Sequence, residues 1–516
     1  MAVPHYVTVP GGQMKVWRAG QGRSVLALAS PAEAAATCAR RTAEALPGHA
    51  VTVPEWPGIG GSAGLAPTDA AAVAGVAAAL GISGSPVVAF DLAGAAAGEI
   101  AARTGASATV LVDGAAARAW AARGFTPPDL APRPDGTHLT ALFAHLRDAV
   151  VLDPADPLRP RRDGPPLPSP ADLDAAAVTA AVDGEAFARL WRILLDGFGD
   201  GGVLDGLQGV STLGEAAAVI AAAAAPLAPP LPATAPGSGL WSDHVDIPAG
   251  RVHLRRQGTA ARALMVLQSA PGSTAPLVSV IDGLATVRSV VAPDFPGNGD
   301  SCKIAGPVDI ARLGSMMLDV ADALGLATVD LWGTHTGALV ALEMALQRPE
   351  RIGRVVMEAP PLLDAAFSED ILANYLPPLR PDRWGMHLQQ AWNMRRDMFL
   401  FWPWYRQDRA AGRALGLPGT RFLHDWTVGL LKSGTTYDLS YRAAFEYPTV
   451  KRLPLLTRPT LVCAGPTDML VDGLEAARRL APEVIKVVPT PATVWYPNQP
   501  PGSIPATIAA YRDFLV

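Results

Sequence analysis

The sequence predicts an α/β protein built as two mainly parallel sheet units in tandem, the second carrying a helical cap and the first truncated. Three observations predict this. Strand-length apolar runs alternate with longer helical patterns. Short motifs of the first half recur, in the same order, in the second. A stretch rich in proline and small residues separates the two halves.

The recurrence is specific. VTVPGGQMKVWRAG from Val7 resembles VDIPAGRVHLRRQG from Val245, with Pro10, Gly12, Arg18 and Gly20 matching Pro248, Gly250, Arg256 and Gly258. PEWPGIGGS (Pro54 to Ser62) matches PDFPGNGDS (Pro293 to Ser301), Glu99 falls where Glu343 falls, and His138 and Arg147 mirror His387 and Arg396. The spacing between partners rises steadily, from 238 residues for Pro10 and Pro248 to 249 for His138 and His387. Chance matches do not drift in order, so a duplication is expected. The expected boundaries are 1–225 for the first unit, 226–239 for a linker and 240–516 for the second. The linker and a second proline-rich stretch, Asp156 to Pro170, read as solvated chain.

Bulk properties narrow the functional classes. A chain of 516 residues exceeds one ordinary domain, and 49% hydrophobic with 17% charged residues suits large cores rather than disorder. The net charge of −5 and the lack of a basic stripe interleaved with aromatics exclude a nucleic-acid partner. MAVPHYVTVPGG has no basic segment followed by an apolar run, and the alanine-rich run at 216–225 is too short to span a bilayer. No membrane association is expected. Cys38, Cys302 and Cys463 stand far apart, which points to reduced thiols and a cytoplasmic location.

In the second unit the strand candidates are 263–269, 289–294, 328–333, 354–359 and 459–465. Near-continuous apolar strands separated by helices imply a sheet covered on both faces, with ligands bound beyond the carboxyl ends of the strands. Four segments at those ends carry a family resemblance: VLQSAPGS, APDFPGNGDS, DLWGTHTGALVALEMAL and PTLVCAGPTDMLV. In this order they resemble the oxyanion loop, the turn after the fourth strand, the nucleophile elbow and the acid-bearing strand of the α/β-hydrolase superfamily. The resemblance runs from about residue 243 to the end. It implies Asp468 as the acid, with Ser269, Ala270 and the N–H of Thr336 forming an oxyanion site.

The elbow departs from the family pattern. G-x-S-x-G becomes Gly333-Thr334-His335-Thr336-Gly337: both glycines remain and the nucleophile is replaced by histidine. Thr334 and Thr336 are expected to point away from a substrate carbonyl. The histidine base usual after the last strand is also missing from ATVWYPNQPPGSIPATIAAYRDFL, where Asn498 and Gln499 cannot serve as bases. The following helix N-terminus disfavours an imidazolium at His335, so a neutral ring is expected there. It could act as general base or attack a carbonyl itself. Glu358 and Asp468 are the two carboxylates that could orient it. In the first unit the elbow reads AFDLAG, with Asp91 at the nucleophile position behind a bulky Phe90, and the seventh and eighth strands are expected to be absent. That unit reads as structural, packing on the second as a pseudo-dimer.

About ninety residues, 362–457, occupy the usual cap site and are rich in aromatics, among them Trp384, Trp392, Trp402, Trp404 and Trp426. Most read as core, with an inner face suited to an apolar ligand. Trp402 and His424 are the candidate substrate contacts in the cap, and His387 reads as structural. Arg395 and Arg396 could bind a carboxylate. The function expected is hydrolysis of a small, largely apolar ester or amide, with no cofactor or metal. The alternatives are a cofactor-independent lyase or oxygenase with His335 as proton abstractor, and an inactive binding or scaffold protein.

Overall fold

The computed structural model describes residues 1–199, 206–237 and 239–516. The chain divides into two units: Met1–Gly237 with Pro381–Gln389, and Ser238–Arg380 with Gln390–Val516.

The first unit holds strands β1 (Val3–Val9), β2 (Gly12–Gly20), β3 (Arg23–Leu28), β4 (His49–Pro54), β5 (Val87–Phe90), β6 (Thr109–Val112) and β7 (Gln208–Val210), in the sheet order β1-β2-β4-β3-β5-β6-β7. The first two pairings are antiparallel and the rest parallel. A seventh strand is therefore present, against the expectation from sequence. It was hidden because Gln208-Gly209-Val210 has one apolar side chain, and its ladder with β6 is what makes it a strand. The described residues of this unit include no eighth strand.

The second unit holds β8 (Trp241–Ile247), β9 (Gly250–Gln257), β10 (Ala263–Leu267), β11 (Ser289–Pro293), β12 (Val329–Thr334), β13 (Ile352–Glu358), β14 (Thr460–Ala464) and β15 (Ile485–Pro489). Read from its first edge the order is β8-β9-β11-β10-β12-β13-β14-β15. Its first seven places repeat the topology of the other sheet. All five strands anticipated from apolar runs are present. Their side chains Met265, Leu267, Val291, Leu331, Val355, Met357 and Val462 form the core under the flanking helices. Full burial of each stabilises the fold by roughly 1.5–3 kcal/mol. Helix Thr336–Gln347 is buried on every side through Ala345, which is why TGALVALEMA carries small and apolar side chains all round, with Glu343 its charged exception.

Between β13 and β14, where a cap was expected, lie the helices Ala365–Asn374, Met386–Leu400, Thr420–Ser433 and Tyr437–Glu446. The cap is not wholly part of the second unit, because Pro381–Gln389 groups with the first. There His387 bonds Asp174 at 2.8 Å and Gln389 donates to the Asp135 carbonyl at 2.7 Å. The stretch expected to be a solvated linker is also tied down. Pro226 and Pro229 carbonyls accept from Ser24 N at 2.8 Å and Arg18 Nη1 at 2.6 Å, and Ala228 N donates to Gly22. No described helix is long and apolar enough to cross a membrane.

Candidate active site

β12 ends at Thr334 and a helix starts at Thr336, so the chain must reverse within one residue. His335 makes that turn at φ 50° and ψ −114°, a backbone region that costs a non-glycine residue about 1–3 kcal/mol. The two glycines make it sterically possible. A Cβ on Gly333 would lie 2.2 Å from the Gly337 carbonyl oxygen, and one on Gly337 2.2 Å from that of Leu267. The turn is clamped to the next strand by His335 N donating to the Glu358 carbonyl at 3.0 Å.

The ring of His335 reaches across β13 to the loop after β14. Nε2 stands 3.1 Å from both carboxylate oxygens of Asp468. Asp468 is buried and also accepts from Leu470 N at 2.9 Å and the Thr493 hydroxyl at 2.9 Å. Burial alone would raise its carboxyl. The charge and hydrogen bond of His335, with those two donors, more than offset it and hold the group below its ordinary value. An ionised carboxylate only accepts hydrogen bonds, so Nε2 carries the proton of this bond, and Nδ1 is the nitrogen left for other partners.

Glu358 does not share this task. Its Oε1 accepts from Tyr511 at 2.7 Å and Val494 N at 3.1 Å, beneath the elbow. Burial, reinforced by the Asp468 charge, pushes its carboxyl up to about 7 against the pull of Tyr511, Val494 N–H and Thr334. The loop after β15, where the usual base is missing, is filled by other side chains. Thr493 holds Asp468, and Trp495 donates from Nε1 to the Thr334 hydroxyl at 2.9 Å. The Trp495 ring meets His335 edge-on at 5.3 Å.

His335 opens on a tight cavity of about 30 Å³ that reaches solvent. Ser269 and Ala270 line it as expected, together with Thr334, Arg395, Trp426 and Trp495. Thr334 borders the space but is fully buried, with its hydroxyl engaged by Trp495. Thr336 is buried and does not line the space, so any contribution comes from its N–H in the unpaired first turn of the helix. His424 and Trp402 do not line it either. His424 is buried within the cap, and Trp402 packs against Phe367 and Tyr375 at 6.0 and 5.8 Å. The helix of His424 contributes Trp426 and Gly429 instead. The aromatics that line the cavity from this region, Tyr375, Tyr441 and Trp426, were inseparable in sequence from those that only pack on one another.

One trio among the described residues has the spacing to hold a cation: His253, Asp294 and Asp300. Its charges are already matched, Asp294 by Arg255 at 3.3 Å and Asp300 by Lys432 at 2.8 Å. In the first unit Asp91 adopts φ 42° after β5, so a sharp turn forms there despite Phe90. Phe90 is accommodated in the core beneath the Arg41 guanidinium, 4.3 Å from its ring. Burial pushes Asp91 up to about 8, with the Ser30 hydroxyl opposing.

Residues 262–492 match the family model described as alpha/beta hydrolase fold. A 2-hydroxymuconate semialdehyde hydrolase of Pseudomonas putida is 35% identical over 109 residues, 21% of this chain and 39% of that protein. The acetyltransferase component of the acetoin cleaving system of Cupriavidus necator is 26% identical over 22% of this chain and 31% of its own. The chain spans less than two fifths of the length of these curated relatives. Among solved structures, an epoxide hydrolase from an endophytic Streptomyces aligns at TM-score 0.44 and 18% identity, covering 54% of this chain and 97% of that one.

Proposed function

Taking residues 262–492 as an α/β-hydrolase-superfamily domain, we propose that the second unit is catalytic and that His335, held by Asp468, is its general base. The substrate is a small carbonyl compound with a largely apolar body, an ester or amide that water cleaves. The observation that carries this reading is the pairing of His335 Nε2 with both oxygens of a buried, ionised carboxylate at 3.1 Å, at the edge of a cavity.

In the reaction, Nδ1 takes a proton from water as the water oxygen bonds to the carbonyl carbon. The carbonyl oxygen becomes an oxyanion beside the Ser269–Ala270 loop and the helix N-terminus at Thr336, where backbone N–H groups and the helix dipole stabilise negative charge. The imidazolium, stabilised by Asp468, then returns the proton to the departing oxygen or nitrogen as that bond breaks. A hydroxyl at the elbow is not needed. The same base without attacking water would remove a substrate proton, so a lyase or cofactor-independent oxygenase is the second reading.

The test is turnover of a panel of small aryl esters and amides by the purified chain and by His335→Ala. Hydrolysis that falls to background in a folded variant supports the base. Hydrolysis that persists unchanged places the chemistry elsewhere, and oxygen uptake or bond cleavage without water addition selects the second reading.

The first unit is read as a duplicate that has become structural. Supporting this are the shared strand order and the positive φ at Asp91 and His335 and at Asp113 and Ala359. So does a strand-end bond that recurs, Asp113 N to the Val210 carbonyl and Ala359 N to that of Cys463.

A further inference from the structure

We propose that Arg395 is the anion-binding residue of the cavity, and that the substrate carries a carboxylate at the end of its body remote from the carbonyl served by His335. The proposal rests on the cavity being the reaction site and adds the substrate class to that reading.

Arg395 lies in helix Met386–Leu400 and is 1% exposed. A buried guanidinium is costly unless a charge or a full set of acceptors compensates it. Among the described residues no carboxylate pairs with it. Nη2 donates to the Pro271 carbonyl at 2.7 Å, Nη1 meets Met398 Sδ at 3.7 Å, and the buried Nε–H has no partner. Five N–H donors are therefore underused. Burial lowers the group to about 10, with Tyr441, Tyr375 and Tyr437 opposing, so it is charged at neutral pH.

The guanidinium sits 4.0 Å over the Trp426 ring. A planar cation stacked on an indole, with N–H donors unfilled, suits bidentate recognition of a carboxylate. A phosphate fits less well. The lining sets Leu277, Met398, Met469 and aromatic rings beside Ser269 and Ser273, with no second lysine or arginine for a dianion. A run of aromatic rings links cation and base along one side: Trp426 stands 6.3 Å from Trp495, which stands 5.3 Å from His335. That run fits a flat apolar body between a carboxylate and the reacting carbonyl. The competing role for Arg395 is structural, pinning the oxyanion loop through Pro271.

The test measures binding of benzoate and phenylacetate against benzamide and phenylacetamide, with phenyl phosphate as a further probe, by calorimetry on the full chain. We expect each acid to bind at least about tenfold tighter than its amide, as a charge-assisted pair predicts. Arg395→Gln should erase that preference, Arg395→Lys should keep part of it, and His335→Ala should leave it intact. Equal affinity for acid and amide, no binding of either acid, tighter binding of phenyl phosphate, or a preference that survives in Arg395→Gln would overturn the proposal. The acid–amide comparison uses the unmodified chain, so a misfolded variant does not weaken it. Failure of the base assignment looks different: the acid preference stands while ester turnover ignores His335→Ala.

Discussion

The two carboxylate oxygens of Asp468 are equidistant from His335 Nε2, at 3.1 Å each. The ring is thus held by a symmetric acceptor that fixes which nitrogen carries the proton. Asp468→Asn breaks that symmetry. An amide N–H facing Nε2 would shift the ring proton to Nδ1 and abolish the basic site. The expected loss in kcat is on the order of 10²–10⁴ with little change in fold, read from steady-state rates and the melting curve.

Glu358→Gln tests the buried carboxyl beneath the elbow. Its carboxyl is raised from 4.5 to about 7 in the folded protein, so the folded chain keeps a proton that the unfolded chain releases. Stability from this group is full below about 4.5 and falls as pH climbs to about 7. Melting temperatures of the wild type should therefore drop across that window relative to Glu358→Gln, whose amide does not titrate. Parallel curves for the two proteins would show that Glu358 does not carry the difference.

Gly337→Ala should be poorly tolerated. Its Cβ would meet the Leu267 and Gln268 carbonyl oxygens at 2.2 and 2.6 Å, backbone atoms of the last residue of β10 and the one after it. The expected cost is roughly 3 kcal/mol or more by denaturant unfolding, a size reached only by the severer overpacking effects. A change under about 0.5 kcal/mol would mean the elbow and strand separate easily.

Asp91→Asn probes the first unit. If that unit has no chemistry, ester turnover stays within about twofold of wild type, as for substitutions remote from a site. Because the buried carboxyl is raised to about 8 by its surroundings, removing it should also lift stability at alkaline pH, where the wild-type group ionises.

Much of the second sheet was legible because its strands are buried on both faces and therefore read as unbroken apolar runs. The elbow was legible through Gly333 and Gly337, whose spacing is a steric requirement. β7 was not, since Gln208 and Gly209 carry no pattern and the strand is made by its neighbour. Cap residues resisted assignment for a related reason: one helix turns His424 into packing and Trp426 toward the cavity, and composition does not encode that rotation. Likewise the matched Glu99 and Glu343 diverge in role. Glu99 pairs with Arg103 at the surface, while buried Glu343 accepts from Tyr447 at 2.5 Å and Arg452 at 2.8 Å.

The bond from His335 to Asp468 passes over β13 and joins the ends of β12 and β14. A side chain carried by the last loop would rest on loop residues alone; His335 turns at the end of β12 with its N–H on the Glu358 carbonyl of β13, and only Asp468 sits on a loop. In the proposed reaction the imidazole therefore starts from a place that the sheet, rather than a terminal loop, sets.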